Sequence, residues 1–264
     1  MIVCADDYGL RDDINRAILE LCASGRLSAV SCMAALERCA PGSLVELLVY
    51  QRSVDVGLHL CLTDEDLPLC ASPARGGTRE PLPTFSVLLR RALLGQVRPR
   101  EMARLISAQY EIFVAKCQRR PDFIDGHLHA HQLPGVREGL LEFVLSLPKA
   151  DRPYIRNTHL PLRELWRRRL PWMKAAFIGA FGARMKKQLR TAGAATNEGF
   201  AGIYDFGKWR QYPEYLPRFT ACLRNPNSLL VVHPGSDEDW RRQELAALRG
   251  FTFAAGMPNR LRHT

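Results

Sequence analysis

Asp6 and Asp7 stand side by side just after the apolar stretch "MIVCA". His59 closes "SVDVGL", His127 follows "DFIDG" and His233 follows "SLLVV". All five side chains can bind a divalent cation or move a proton. One carboxylate with two imidazoles forms a facial ligand set that leaves coordination positions for water and substrate. An ion in such a set lowers the pKa of its water toward about 7 and so creates a nucleophile at neutral pH. A second carboxylate can take the proton, and a separate imidazole can protonate the leaving group. Adjacent aspartates suit that division, because their side chains diverge along the chain. Each residue also has a plainer reading. "DD" before "YG" is ordinary turn chemistry, and a lone histidine at a strand end is more often hydrogen-bonded than ligating. Four strand ends carrying such groups together outweigh those readings.

Three of the seven histidines fall within "DGHLHAHQLP": His127, His129 and His131. Strand alternation would place them on one face, but Gly126 interrupts it. One of the three is therefore expected at an ion, with the others supporting it or facing substrate on the same polar rim. Cys61, two residues after His59, is expected to pack as a thiol rather than to ligate.

These residues need a frame that gathers strand ends. Short apolar runs alternate with helical patterns along the chain, which predicts an α/β fold of the parallel (β/α) TIM-like barrel type, irregular or seven-stranded. In such a barrel the strand C-termini meet at one rim. "LSAVSCMAA", "PYIRN" and "SLLVVHPG" supply further strands. A helix is predicted from about Asp12, its N-cap, to Ser24, with Ile14, Ala17, Ile18 and Leu21 on one face and Gly25 as its stop. "PREMARLISAQYEIFVAKC" predicts another, with Pro99 near its start, and a third spans about Pro134 to Leu147. At 264 residues a single domain, 1–264, is expected. The Pro/Gly-rich residues 67–83 are expected to form a surface loop, with a lid as one role for it.

Net charge is +10, and it is unevenly placed. Between Arg152 and Arg190 there are eleven Lys/Arg against one acid, Glu164. This predicts a basic helical excursion at about 160–192, in which Trp166, Leu170, Trp172, Met173, Phe177, Ile178 and Phe181 interleave with cations. Such a composition suits peripheral contact with an anionic membrane; a solvated basic face packed on the barrel is the even alternative. Eight cysteines without a C-x-x-C spacing point to reduced, packed thiols. No run of eighteen apolar residues appears, and the start turns acidic too early for a secretory segment. A cytoplasmic location is expected, peripheral at the inner face of the membrane if the basic segment serves one. No Gly-rich phosphate loop is present and no nucleic-acid partner is expected. Oligomeric state is open, a homodimer being the commonest closed assembly.

Together "ADDYG" with Ile14 and Asn15, "GLHLCLT" and "IDGHLHAHQLP" resemble the YdjC-like carbohydrate deacetylases. That family includes chitooligosaccharide deacetylases and deacetylases associated with hopanoid biosynthesis. "VVHPG" and "TNEGFAGIYDF" are weaker matches, and the specific part covers roughly residues 1 to 135. The resemblance implies a barrel enzyme that removes acetyl groups from N-acetylated sugars with one divalent ion, Mg²⁺ or Zn²⁺. By position it implies Asp7, His59 and His127 as ligands, Asp6 as general base and His233 as the acid. His129, His131 and Asn15 would bind substrate or support the ligands. Independently of the resemblance, Arg156 in "YIRN" is a candidate to meet an anionic group if the substrate is soluble and not membrane-borne. The substrate would be a small oligosaccharide or a glycolipid. An ester or phosphoester hydrolase is the nearest alternative. A non-enzymatic binder of anionic surfaces is the other, and the intact Asp/His set weighs against it.

Overall fold

The computed structural model describes residues 1–63, 69–70, 82–168, 170–253 and 260. The apolar runs form β1 (Ile2–Tyr8), β2 (Ala29–Cys32), β3 (Asp55–Leu60), β4 (Phe123–Gly126), β5 (Tyr154–Ile155), β6 (Phe200–Ala201) and β7 (Leu229–Val232). They make one sheet in the order β5-β4-β3-β2-β1-β7-β6, with every pairing parallel. The sheet curls into a half-barrel flanked by helices, the expected TIM-like α/β fold. Its two edges are bridged by the chain just before β6. The Ile155 N–H donates to the Ala195 carbonyl at 2.9 Å, and the Thr196 hydroxyl to the Ile155 carbonyl at 2.6 Å. Strand β6, two residues between Gly199 and Gly202, is not among the expected strands.

Helices α1 (Asp12–Ala23), α2 (Pro41–Leu48), α3 (Phe85–Leu93), α4 (Pro99–Cys117), α5 (Val136–Ser146), α6 (Leu162–Arg167), α7 (Trp172–Thr191), α8 (Tyr212–Cys222) and α9 (Asp239–Gly250) connect the strands. Helix α1 buries Ile14, Ala17, Ile18 and Leu21 as its periodicity requires, and α4 begins at Pro99, where the missing N–H is harmless. Asp12 is not the N-cap of α1. It is the first helical residue, and Arg11 holds the cap position without a side-chain bond. The neighbouring Asp13 carboxylate accepts the Ser236 and Asp237 N–H groups at 3.0 and 3.2 Å, which ties α1 to the loop after β7. The basic excursion is α6 and α7, inserted between β5 and β6. It packs on the barrel through Leu165, Leu170, Met185 and Leu189 and leaves Leu162, Trp166, Met173 and Phe177 exposed. Of the loop expected at 67–83, residues 67–68 and 71–81 lie outside the described residues. All eight cysteines are thiols.

Alternation along the strands divides the apolar residues into two cores. Val3, Val30, Val56, Ile124 and Leu230 pack outward among the helices. Ile2, Cys4, Ala29, Phe123, Tyr154 and Leu229 fill the barrel interior. Gly57 belongs to the crowded interior: a Cβ there would lie 2.4 Å from the Phe123 ring, which is itself stacked on Tyr154 at 5.0 Å. Gly57→Ala is therefore expected to cost roughly 1–3 kcal/mol through overpacking. Equilibrium denaturation measures this, and an unchanged midpoint would show slack in the interior.

Candidate active site

The same alternation delivers the polar residues to the rim. On the inner face, Cys4 is followed by Asp6, Ala29 by Ser31, Gly57 by His59, Phe123 by Asp125 and Val231 by His233. Asp7 should then point outward, toward the helices. It does not, because the β1–β2 register breaks between Ala5 and Tyr8 and Asp7 adopts φ 70. A left-handed aspartate costs on the order of 1–3 kcal/mol, and here it turns both carboxylates toward the same cavity. Asn15 holds this turn: its Oδ1 accepts the Gly9 N–H at 2.7 Å. Its role is to support β1, and it does not line the cavity.

Asp7 Oδ1 lies 3.5 Å from His59 Nε2 and 3.1 Å from His127 Nδ1. The three donor atoms all lie within 4.8 Å of one another. Behind them, His59 Nδ1 meets Asp125 Oδ1 at 2.6 Å and Ser31 Oγ at 2.9 Å. A carboxylate on the far nitrogen fixes the tautomer of a ligating imidazole, so this donor set fits a divalent ion. His59 and Asp125 are register partners across β3 and β4. The second oxygen of Asp7 accepts Arg241 Nη2 at 2.6 Å. Burial raises the Asp7 carboxyl, but Arg241 and His127 overcome it and hold it well below the usual carboxylate range. Cys4, Asp6 and Asp125 form another cluster of donors, but its cation is already in place: it is Arg156.

Arg156 is fully buried and does not meet an anionic substrate group. Its guanidinium holds Asp6 through both oxygens, at 2.6 and 2.7 Å, and pairs with Asp125. His131 is also fully buried and turned away from the rim, its Nε2 bonded to the Arg156 carbonyl at 3.0 Å. The triple histidine is thus not a strand. Leu128 and His129 take φ 52 and 58, which sends His127 to Asp7, His129 to the cavity wall and His131 into the interior. Burial, first of several causes, pushes the His129 imidazole well below its ordinary value.

His233 points Nε2 toward Asp6 Oδ2 at 3.9 Å. Burial pushes its imidazole down to about 4 against the pull of Asp6 and Asp7, so the ring is neutral near pH 7. Glu244, on α9, accepts the His233 backbone N–H at 2.6 Å and the Tyr204 hydroxyl at 2.7 Å, and burial pushes its carboxyl up to about 7. Asp125, Ser31, Arg241 and Glu244 had no assigned role in the sequence reading. Asp125 and Ser31 become visible only once strand pairing is known. Arg241 and Glu244, in "RRQEL", look like the polar face of a helix.

A family model described as YdjC-like protein matches residues 1–257. The chain belongs to the YdjC-like family. The match runs well beyond residue 135, where the resemblance in sequence became loose. Over 182 residues the chain is 31% identical to proteins named chitooligosaccharide deacetylase from Yersinia pestis (strain Pestoides F) and Yersinia pseudotuberculosis serotype O:3 (strain YPIII), covering 68% of this chain and 69% of each relative. A crystal structure from Enterococcus faecalis V583, of a protein provisionally assigned to cellobiose-phosphate cleavage, superimposes with a TM-score of 0.67. It has 15% identity and covers 99% of this chain and 96% of that one; the likeness is one of fold.

In this YdjC-like chain the rim residues open into a cavity of about 400 Å³, within the usual size of a ligand site. Its floor is polar, formed by Asp6, Asp7, His59, His127 and His233, and its walls are apolar, with Leu128, Phe177, Ile178, Ile203 and Val231 among them. One wall is a four-layer stack. Lys174 Nζ lies 4.7 Å over Phe206, Phe206 stacks on Trp240 at 4.0 Å, and the Arg241 guanidinium lies 4.3 Å over Trp240. Phe206 and Trp240 are thus engaged with each other and each with a cation.

Proposed function

We propose that this chain is a metal-dependent hydrolase that removes the acetyl group from an N-acetylated sugar. The observation that carries this reading is the pairing of a convergent Asp7–His59–His127 donor set with an adjacent carboxylate and imidazole, Asp6 and His233, on the floor of one cavity. The names of the Yersinia relatives support the substrate class. A divalent ion held by Asp7, His59 and His127 would supply the Lewis acidity that amide hydrolysis needs at neutral pH. Asp6, held by Arg156, takes the proton of the attacking water. Its Oδ2 faces His233 Nε2, so the neutral ring can receive that proton and pass it to the departing nitrogen. The new C–O bond replaces the C–N bond, and acetate and a free amino sugar leave.

The sugar, in this reading, is joined to an apolar group. Phe206 and Trp240 are engaged with each other and each with a cation, and Leu128, Phe177, Ile178 and Ile203 suit hydrocarbon. Phe177 is 50% and Met173 72% exposed, and Arg163, Arg167 and Lys174 lie on the same two helices. That combination supports peripheral contact with an anionic membrane at its cytoplasmic face. Among the described residues no helix is long and apolar enough to cross a membrane.

The test is acetate release from N,N′-diacetylchitobiose and from an octyl N-acetylglucosaminide, as purified, after chelation, and after adding back Mg²⁺ or Zn²⁺. Release from the octyl glycoside that chelation abolishes and metal restores is the expected result. Faster release from the chitobiose would remove the apolar group from the proposal. Release that survives complete chelation would overturn the metal-dependent mechanism.

A further inference from the structure

Glu244 is 1% exposed and sits on α9 behind His233, outside the cavity. A carboxylate buried at this depth is costly unless its oxygens are engaged, and both of these converge on the frame of one residue. Oε2 accepts the His233 backbone N–H at 2.6 Å, while Oε1 accepts the Tyr204 hydroxyl at 2.7 Å and stands 3.9 Å from His233 Nδ1. That Nδ1 is buried and has no hydrogen-bond partner. On its other side the ring presents Nε2 to Asp6 Oδ2, also at 3.9 Å. Phe206 meets the ring edge-on with centroids 5.6 Å apart, and Trp240 lies 5.9 Å from it.

We propose that Glu244 is the positioning residue for His233: it takes the Nδ1–H of the imidazole and thereby keeps Nε2 bare and turned into the cavity. A neutral ring in that tautomer receives a proton at Nε2 and gives it to the leaving nitrogen, while the Glu244 carboxylate stabilises the transient imidazolium. This is the task a buried carboxylate performs behind other catalytic histidines. The Tyr204 hydroxyl fixes the carboxylate by donating to that same oxygen, Oε1. The proposal rests on His233 being the acid of the reaction, and the experiment separates the two ideas.

The first measurement is the ¹⁵N spectrum of the His233 ring in the intact protein at mildly alkaline pH, assigned by its loss in His233→Gln. Nδ1–H with an unprotonated Nε2 is expected; the opposite tautomer would overturn the proposal. Glu244→Gln should then shift the ring away from this tautomer. It should lower kcat for acetate release from the octyl N-acetylglucosaminide by roughly 10- to 100-fold, a part of what a general acid contributes. KM should stay within about twofold, and calorimetric Zn²⁺ affinity should not change. Tyr204→Phe, which removes one hydroxyl, should lower kcat in the same direction by less, and it serves as the test should Glu244→Gln fail to fold. Full kcat in Glu244→Gln, or in Tyr204→Phe if it is the variant available, would sink the positioning role if His233→Gln is inactive. Full kcat in His233→Gln would instead remove the acid assignment on which the proposal rests.

Discussion

His127→Ala is expected to abolish tight binding of a divalent ion and to lower acetate release by more than the roughly 100-fold that loss of an outer-shell partner costs. The fold should persist. His127 sits at the rim, immediately after β4, with its side chain 16% exposed, and the barrel interior beneath it is filled by Phe123, Tyr154 and Ile2. Removing it takes away one of three donors, and Asp7 and His59 alone offer too few to hold an ion tightly. Calorimetric titration with Zn²⁺ or Mg²⁺, acetate release and circular dichroism check the three parts of this expectation. A folded variant that binds the ion and turns over like the parent would take His127 out of the ligand set.

Arg156→Met should produce the largest loss of stability, roughly 3–5 kcal/mol, the usual cost of leaving buried charges without their partner. Its guanidinium serves Asp6 and Asp125 together, and both carboxylates are almost wholly buried. Burial raises the Asp125 carboxyl, but Arg156, then His59, overcomes it and holds it well below its ordinary range. Without the arginine Asp6 loses both of its guanidinium bonds, and Asp125 keeps only His59 and Ser31 against its charge. Arg156→Lys should recover only part of the loss, because an ammonium cannot hold Asp6 through both oxygens as the planar guanidinium does. Denaturant titration measures the effect. A midpoint within experimental error of the parent would mean that water or rearrangement supplies the missing partner, and that Arg156 is not the clamp the geometry indicates. Activity should fall as well, since Asp6 loses the contact that orients it.

Much of the frame was legible in sequence because its causes are local. Apolar runs of four to eight residues announced most of the strands, and "PREMARLISAQYEIFVAKC" gave the whole of α4 with its N-terminal proline. Strand β5, with two residues, was caught in "PYIRN", whereas β6, equally short and set between Gly199 and Gly202, was not. Asp12 was misplaced by one position, a distance that cap preferences do not resolve when no side-chain cap is made.

The candidate site divides along the same line. Residue types at strand ends sufficed to group Asp6, Asp7, His59, His127 and His233, since a parallel barrel brings all its strand C-termini to one rim. Side-chain roles beyond that grouping depended on contacts between distant segments. Arg156 looked like a substrate-facing cation, yet it reaches Asp6 from 150 residues away and never meets solvent. His131 shares a short motif with His127, but two left-handed residues between them send it to the opposite side of the turn. Arg241 and Glu244, three residues apart on α9, looked like a solvated helical face and instead support Asp7 and His233. Sequence by itself determined which residues would stand at the rim, because alternation and helical periodicity are properties of neighbouring residues. Only the tertiary structure decided which oxygens and nitrogens pair there, because a buried charge is satisfied by whatever the fold brings within hydrogen-bond reach, however far away it lies along the chain.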